Sequence, residues 1–179
     1  MLFRSTTVYL LKNKSNAFEK FQDFLKEVKN QFGRKIKRIR SDRGYEYESN
    51  AFNSFVQSLR IIHDTTALYS PASDGVAKRK NRTLIELTNV MLIESSAPLH
   101  FWGETILIAC HLLNRVSHKK SHTTHFEMWK GHKPNFGYLR VWGFAYVRLT
   151  DPKIPKLGIR ATTCDFLGYV IHSVAYRFF

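Results

Sequence analysis

Short apolar runs alternate with longer, helix-like segments in the first third of the chain. Apolar residues recur every three or four positions over residues 18–28 and 52–59, and this spacing predicts two amphipathic helices. The first is expected to start at Ser15 or Asn16, whose side chains suit a helix N-terminus, and to end at Gly33.

Three runs rich in β-branched, aromatic or other apolar residues flank these helices. They occupy residues 6–11, 36–40 and 61–62, and each is predicted to be a strand. Residues 42–44 supply a turn after the second run. Because strands and helices alternate, the sequence favours a parallel or mixed α/β sheet.

A polar segment leads into a third predicted helix. Residues 67–75 read as a mobile loop, with a helix cap near Ser73 or Asp74. Lys78 and Arg82 are one turn apart on this helix and are expected to point outward. The opposite face is apolar and carries Leu84, Leu87 and Met91.

The chain changes character after the next helix. Pro98 opens a segment that is apolar on most sides and is therefore expected to be buried. Its apolar members are Phe101, Trp102, Ile106, Leu107, Ala109, Leu112 and Leu113. From about residue 120 onward, turns surround two β-like stretches at residues 139–149 and 163–171, which Gly143 and Gly168 interrupt.

Positive charge is the main feature of the composition. The 179 residues include 28 Lys and Arg but 14 Asp and Glu, which gives a formal charge of +14, while 44% hydrophobic residues are enough for a folded core. Much of the excess lies in a few clusters: Arg34-Lys35, Lys37-Arg38, Arg40, Arg43, Lys78-Arg79-Lys80 and Arg82. Such clusters are either solvated faces or a surface for a polyanion, and the pI near 10.0 favours nucleic acid.

The cysteines and apolar runs indicate an intracellular chain without a membrane span. Cys110 and Cys164 both lie in apolar surroundings, so a disulfide framework is not expected. No apolar run reaches the roughly 20 residues that a membrane helix needs. The beginning of the chain lacks the organisation of a signal peptide, and both ends look like cuts in a longer sequence.

Histidines and tryptophans each allow two interpretations. His118, His122, His125 and His132 lie close together in sequence, either as metal ligands or, as we expect here, in a solvated loop. The tryptophans could stack on bases, but their apolar neighbours favour core packing. They are Trp102, Trp129 and Trp142.

Two motifs resemble the integrase core of copia-type retrotransposon Pol polyproteins. Residues 40–47 read RSDRGYEY and residues 69–84 read YSPASDGVAKRKNRTL, at the separation that this family shows. Residues 139–143 (LRVWG) and 166–169 (FLGY) also resemble the segment that follows the family's catalytic core. The resemblance therefore implies a catalytic-core-like domain over residues 1–120 and a C-terminal extension over residues 121–179.

The resemblance implies an α/β, ribonuclease H-like fold, truncated at its first strands and followed by a short β-rich extension. In intact relatives three carboxylates hold two Mg²⁺ or Mn²⁺ ions that activate the attacking group and stabilise the leaving oxygen of a phosphodiester. Asp42 corresponds to the second carboxylate, and Lys78 stands where the third, a glutamate, is usual. The first carboxylate would precede Met1.

A lysine at this position is expected to impair metal-dependent chemistry. It replaces an attraction to divalent ions by a repulsion, and one unit pair at ~4 Å is worth about 4 kcal/mol near a protein surface. Metal binding at Asp42 is therefore expected to be weak or absent. Asp74 could approach the site from the loop, whereas Glu46, Glu48 and Glu86 are not placed as substitutes.

Three functional hypotheses follow from the resemblance. The first is an integrase-core fragment whose family role is DNA integration by strand transfer but which is itself catalytically impaired. Its expected DNA-facing residues are Arg43, Lys78, Arg79, Lys80 and Arg82. The others are a non-enzymatic DNA-binding or assembly module, and the product of a decaying element. The expected partners are DNA and further copies of the chain, with neither a small-molecule substrate nor a membrane, and a functional chain would act in the nucleus.

Overall fold

The computed structural model describes residues 5–66, 75–117, 122–148, 157–158, 160–170, 173 and 175–179. Its contacts divide the chain into two compact units. The N-terminal unit is Tyr9–Arg79, and the C-terminal unit combines Met1–Val8 with Lys80–Phe179. The domain boundary expected near residue 120 stays a prediction.

The described part of the N-terminal unit combines short and long helices with a two-stranded sheet. Helix α1 (Ala17–Phe32) follows a short 3₁₀ turn (Lys14–Asn16) and ends at Gly33, whose φ of 62° is left-handed. This confirms the helix predicted from the apolar spacing. The other elements are β1 (Arg38–Ser41), α2 (Tyr45–Glu48), α3 (Asn50–Ser58) and β2 (Ile62–Thr65).

The two strands of this unit are parallel, as the alternation of strands and helices predicts. Arg38 lies opposite Ile62, and Ser41 lies opposite Thr65. Phe52 of α3 is fully buried, and its ring packs edge-on against Phe18 of α1 at 5.8 Å between centroids. The core continues through Phe21, Leu25, Ile36, Ile39, Tyr47, Phe55, Val56 and Ile61.

Helix α4 (Gly75–Ser95) begins in the N-terminal unit and continues into the C-terminal unit. Leu84 is buried and Leu87 half-buried, whereas Lys78 and Arg82 are exposed, as predicted. A 3₁₀ turn (Leu99–Phe101) then leads into α5 (Trp102–Leu113), which is followed by α6 (His125–Lys130).

An antiparallel sheet completes the C-terminal unit. Its strands are β3 (Gly143–Arg148), β4 (Ala161–Tyr169) and β5 (Tyr176–Phe178), in that order. The core places Phe166 of β4 with Leu92, Phe101, Ile108 and Trp142. The β-like character is confirmed for residues 143–148 and 163–169, whereas residues 139–142 lie outside the strand and residues 149 and 171 are not among the described residues. The register shifts between Phe166 and Gly168, where an interruption was expected.

The strand predicted at residues 6–11 is wrong. Those residues are extended but belong to none of the strands that the structure describes. The backbone N–H of Thr6 donates to Asn114 Oδ1 at 2.9 Å, and Asn114 Nδ2 donates to the Thr6 carbonyl at 2.7 Å. A side-chain amide thus satisfies backbone groups that a neighbouring strand would otherwise pair.

Two further expectations need correction. Trp102 was expected to be buried but is 54% exposed, because α5 turns its Thr105, Ile108 and Ala109 side inward instead. His125 was expected in a solvated loop but is buried at the start of α6, where Thr124 caps the helix by accepting a hydrogen bond from the N–H of Glu127.

Three remaining expectations concern the loop, the cysteines and the membrane. The loop predicted before α4, with its cap at Ser73 or Asp74, lies outside the described residues. Cys110 and Cys164 are both free thiols, as expected. Within the described ranges, no helix is long and apolar enough to cross a bilayer.

Candidate metal and nucleic-acid site

Asp42 directly follows β1, and its backbone is fixed by the neighbouring strand. The Ser41 hydroxyl donates to the Asp42 carbonyl oxygen at 2.8 Å, and Ser41 Oγ lies 2.8 Å from Nε2 of His63 on β2. Since the one hydroxyl hydrogen serves Asp42, the Nε2–H of His63 donates to Ser41 Oγ. The buried Ser41 side chain therefore links Asp42 to β2.

The carboxylate of Asp42 is exposed at this turn. Its Oδ1 accepts a hydrogen bond from the N–H of Gly44 at 3.2 Å. The pKa of Tyr47 is raised by burial first, and then by the charges of Glu46 and Asp42. Glu46 and Asp42 therefore both contribute negative charge around this phenol, in a turn that also carries the exposed cation of Arg43.

A divalent ion at this turn would need more oxygen ligands than the described residues supply. The carboxylate of Asp64 on β2 is already paired, with Oδ2 at 2.9 Å from Nη1 of Arg38. In the described parts of the chain, no group of three His, Cys, Asp or Glu side chains converges on a point where a metal could sit. Among the described residues, the donors at Asp42 thus do not fit the two-ion arrangement that the resemblance implies for intact relatives.

The first turn of α4 is basic and exposed. It contains no acidic residue, and Lys78, the position of the family's glutamate, points into solvent. Arg79 is also exposed, with Nε donating to the Gly75 carbonyl at 3.0 Å, and Arg82 is exposed one turn beyond Lys78. The positive end of the helix dipole adds to these charges, so this turn attracts anions.

Lys80 and Arg43 are placed differently from these three cations. Lys80 is half-buried, and its Nζ lies 3.3 Å from Nε2 of the buried His125. Arg43 is exposed beside Asp42, with Nε donating to the Thr66 carbonyl at 3.2 Å. The ammonium of Lys80 lies next to the His125 ring. The DNA-binding role of all five cations stays a prediction.

Sequence reasoning singled out Asp42 and Lys78, whose roles stay predictions, but missed the groups that hold the Asp42 turn in place. The Ser41–His63 hydrogen bond and the Arg38–Asp64 ion pair both join β1 to β2. His63 and Asp64 of the half-buried strand β2 were the available signal, because polar side chains on such a strand pair with those of the neighbouring strand. Histidine and aspartate inside such a strand indicate partners on the next strand.

Solved structures define the class of fold. One match is the HTLV-2 integrase catalytic core domain in complex with magnesium, in its trimeric form, with a TM-score of 0.53 and 22% identity. The match covers 71% of this chain and 78% of that one. A chain of the simian T-cell lymphotropic virus intasome in complex with PP2A regulatory subunit B56 gamma matches with a TM-score of 0.56 and 19% identity. The match covers 97% of this chain and 64% of that one. The chain has the ribonuclease H-like fold of an integrase catalytic core.

Sequence relatives specify the family further. A Pol polyprotein from transposon TNT 1-94 of Nicotiana tabacum is 36% identical over 97% of this chain, and one from transposon RE1 of Arabidopsis thaliana is 31% identical over 97%. The chain spans 13% and 12% of those polyproteins. No protein-family model matches it. The chain belongs to the copia-type Pol polyproteins and corresponds to their integrase core, which confirms the resemblance seen in the motifs.

Proposed function

We propose that this chain is a DNA-binding integrase core in which metal-dependent strand transfer is impaired. The observation that carries the proposal is the exposed ammonium of Lys78 in the first turn of α4, at the position where the family's motif has a glutamate. Because the family acts in DNA integration, the proposed partner of this chain is DNA. The chain would meet this partner in the nucleus.

The charge at residue 78 has opposite effects on the two steps that an integrase performs. Divalent ions need anionic oxygen ligands, and an ammonium at the ligand position repels them. A phosphate, in contrast, is attracted by the same ammonium. Binding of DNA and transfer of its ends are therefore expected to separate in this chain.

Exposed cations support the binding half of the proposal. Lys78, Arg79 and Arg82 lie within five residues of one helix, and all three are exposed. Each phosphate that such a cation neutralises releases condensed counterions, which makes the affinity fall steeply with salt. We therefore expect binding that tolerates any sequence and weakens as the salt concentration rises.

Strand transfer by a matched pair of chains tests the catalytic half. Both are preceded by the acid-bearing opening strand of a copia-type relative, and they differ in carrying either Lys78 or the Lys78→Glu substitution. With labelled donor ends, target DNA and Mg²⁺ or Mn²⁺, only the glutamate version is expected to join DNA. Equal joining by the lysine version would refute the impairment.

An assembly role is a second candidate, because apolar side chains are exposed in the C-terminal unit. Ile93 and Leu99 are each 75% exposed, and Ile85 and Trp102 are more than half exposed. Exposed apolar residues in such number are typical of protein contacts. Sedimentation velocity of the chain and of Ile93→Asp tests this role: assembly predicts that the substitution dissociates an oligomer, and a monomer in both cases would exclude it.

A further inference from the structure

The described structure contains a cavity of about 660 Å³ in the C-terminal unit and one of about 620 Å³ in the N-terminal unit. The second lies in the N-terminal unit, between the last turns of α1, the connection from α1 to β1, and the end of α3. Gly33, with φ 62°, and Arg60, with φ 54°, reverse the chain on its two sides. We call this opening the basic-rimmed cavity, because several lysines and arginines surround it.

The floor of the basic-rimmed cavity is apolar. It is formed by Leu25, Ile36, Phe55, Leu59 and Ile61. Four of these belong to the core of the N-terminal unit, so the floor is held rigidly, while Leu59 remains 46% exposed. A cavity of this size with a preformed apolar floor suits a bulky apolar side chain.

The rim carries five cations: Lys26, Lys29, Arg34, Lys35 and Arg60. Lys26 pairs with Asp23 at 3.4 Å. In the described chain no carboxylate forms an ion pair with Lys29, Arg34, Lys35 or Arg60. Like charges that gather around an opening repel one another, and an anionic partner relieves that repulsion.

We propose that the basic-rimmed cavity binds an acidic protein segment that carries a bulky apolar anchor. The anchor occupies the cavity between Phe55 and Leu59, and flanking carboxylates pair with Arg34, Lys35 and Arg60. The two arginines offer planar, two-pronged donors that match carboxylates. The site is separate from Asp42 and from the first turn of α4, so it is independent of the proposed function.

The floor favours a peptide over a nucleic acid. Phosphates could pair with the rim, but the sugar–phosphate backbone offers nothing apolar to fill the cavity. A base inserted there would set its polar edges against Leu25, Ile36 and Ile61, and unpaired buried polar groups are costly. A peptide with an aromatic or aliphatic anchor has no such penalty.

Fluorescence anisotropy with synthetic peptides tests the proposal on the full chain. The probe is a short labelled peptide in which glutamates flank a central phenylalanine. One control has alanine in place of the phenylalanine, and another has glutamine in place of every glutamate. Each change is expected to weaken binding about tenfold, which corresponds to one buried aromatic side chain or a few charge pairs.

Two charge-reversed variants with the same net charge locate the site. Arg34→Glu with Lys35→Glu alters the rim, whereas Lys12→Glu with Lys14→Glu alters exposed lysines of the same unit that do not line the cavity. The rim variant is expected to bind the probe about tenfold more weakly than the control variant. Leu59→Ala, which leaves every charge in place, is expected to reduce binding of the phenylalanine peptide but not of the alanine peptide.

Three results would overturn the proposal. One is equal binding of the phenylalanine and alanine peptides by the unaltered chain. Another is an equal effect of the rim and control variants on peptide binding. The third is that the rim variant loses affinity for duplex DNA more than for the peptide, since the surface would then serve nucleic acid. Circular dichroism of each variant establishes that it is folded.

Discussion

The ammonium of Lys78 attracts a phosphate and repels a divalent ion, whereas a glutamate at the same position would do the reverse. The exposed position of Lys78 in the first turn of α4 leaves its charge available to solvent. Asp42 keeps an exposed carboxylate, and its backbone is anchored through Ser41 and His63. At the scale of single residues, our proposal is that the site lacks an anionic ligand and offers a contact for DNA.

Removing the charge of Lys78 should lower both the affinity for DNA and its dependence on salt. Lys78→Ala is expected to lower the affinity for duplex DNA at every sequence and to reduce the slope of log affinity against log salt by about one, because one phosphate contact is lost. Anisotropy titrations over a range of salt concentrations measure both. Lys14→Ala, an exposed lysine outside the α4 cluster, is the control and should leave the slope unchanged. An unchanged slope for Lys78→Ala would remove this residue from the DNA surface.

Arg60 is a strained position in the N-terminal unit. Its φ of 54° is left-handed, a conformation that costs an ordinary residue about 1–2 kcal/mol and glycine little. Arg60→Gly is therefore expected to raise the free energy of unfolding by roughly 0.5–1 kcal/mol, after the greater flexibility of glycine in the unfolded chain is allowed for. Urea denaturation measures this, and a loss of stability would show that the arginine side chain has stabilising contacts.

Local sequence singles out candidate residues where a motif names them, but it does not reveal partners that come from elsewhere in the fold. Asp42 and Lys78 were singled out by the flanking sequence, and their roles stay predictions. The burial of His125 could not, because it depends on packing beside Lys80, far away in the sequence. The carboxylate of Asp64 is held by Arg38 through strand pairing, which local sequence does not encode.

At the scale of elements, two glycines shape the C-terminal sheet. Gly143 has φ 101° at the start of β3, and a Cβ there would lie 2.4 Å from Cβ of Ser95. Gly168 has φ 142° on β4, and its Cβ would lie 2.6 Å from Cδ1 of Ile108. Both positions therefore require the absence of a side chain so that the sheet can approach the helices of its own unit.

Substitution at Gly143 should destabilise the C-terminal unit. Gly143→Ala is expected to lower the free energy of unfolding by about 2–3 kcal/mol, because it combines backbone strain with overpacking against Ser95. Thermal unfolding by circular dichroism measures the loss. Gly137→Ala is the control: its Cβ would meet only the movable Asn135 side chain, at 3.3 Å, and a change below about 0.5 kcal/mol is expected. Similar losses in both variants would contradict the predicted close approach.

Most elements follow from local pattern, and those that do not depend on long-range pairing. The spacing of apolar residues predicted α1, α3 and α4, and the position of Gly33 predicted where α1 ends. Residues 6–11 have the composition of a strand, yet the side chain of Asn114 takes the hydrogen bonds of Thr6. A strand exists only when a second strand pairs with it, and composition cannot specify that second strand.

At the scale of the whole molecule, stability should depend on pH through His111. Burial first, and then the charge of Arg115, lower the pKa of this histidine from 6.5 to about 4. Its Nε2 lies 2.9 Å from the Tyr138 hydroxyl, and its ring stacks on Tyr169 at 4.9 Å between centroids. The folded chain therefore keeps His111 neutral under conditions in which the unfolded chain protonates it.

The sign of the effect follows from linkage. The stability that the neutral imidazole contributes is fully present above the unfolded pKa of 6.5 and is lost as the pH falls toward the folded pKa of about 4. Urea unfolding across this window is expected to show decreasing stability. His111→Gln should flatten the dependence, whereas the exposed His132→Gln should leave it unchanged. A dependence that persists in His111→Gln would assign it to other groups.

A strand-transfer assay on the purified chain tests most directly whether this integrase core binds DNA without joining it. Labelled duplex ends and a target DNA are incubated with the chain and with Mg²⁺ or Mn²⁺, and free, bound and joined DNA are separated on gels. For this chain, and for the version preceded by the acid-bearing opening strand of a copia-type relative, the charge at Lys78 predicts bound DNA that salt releases, with no joined product at any metal concentration. Metal-dependent joined product from the unaltered chain would contradict it.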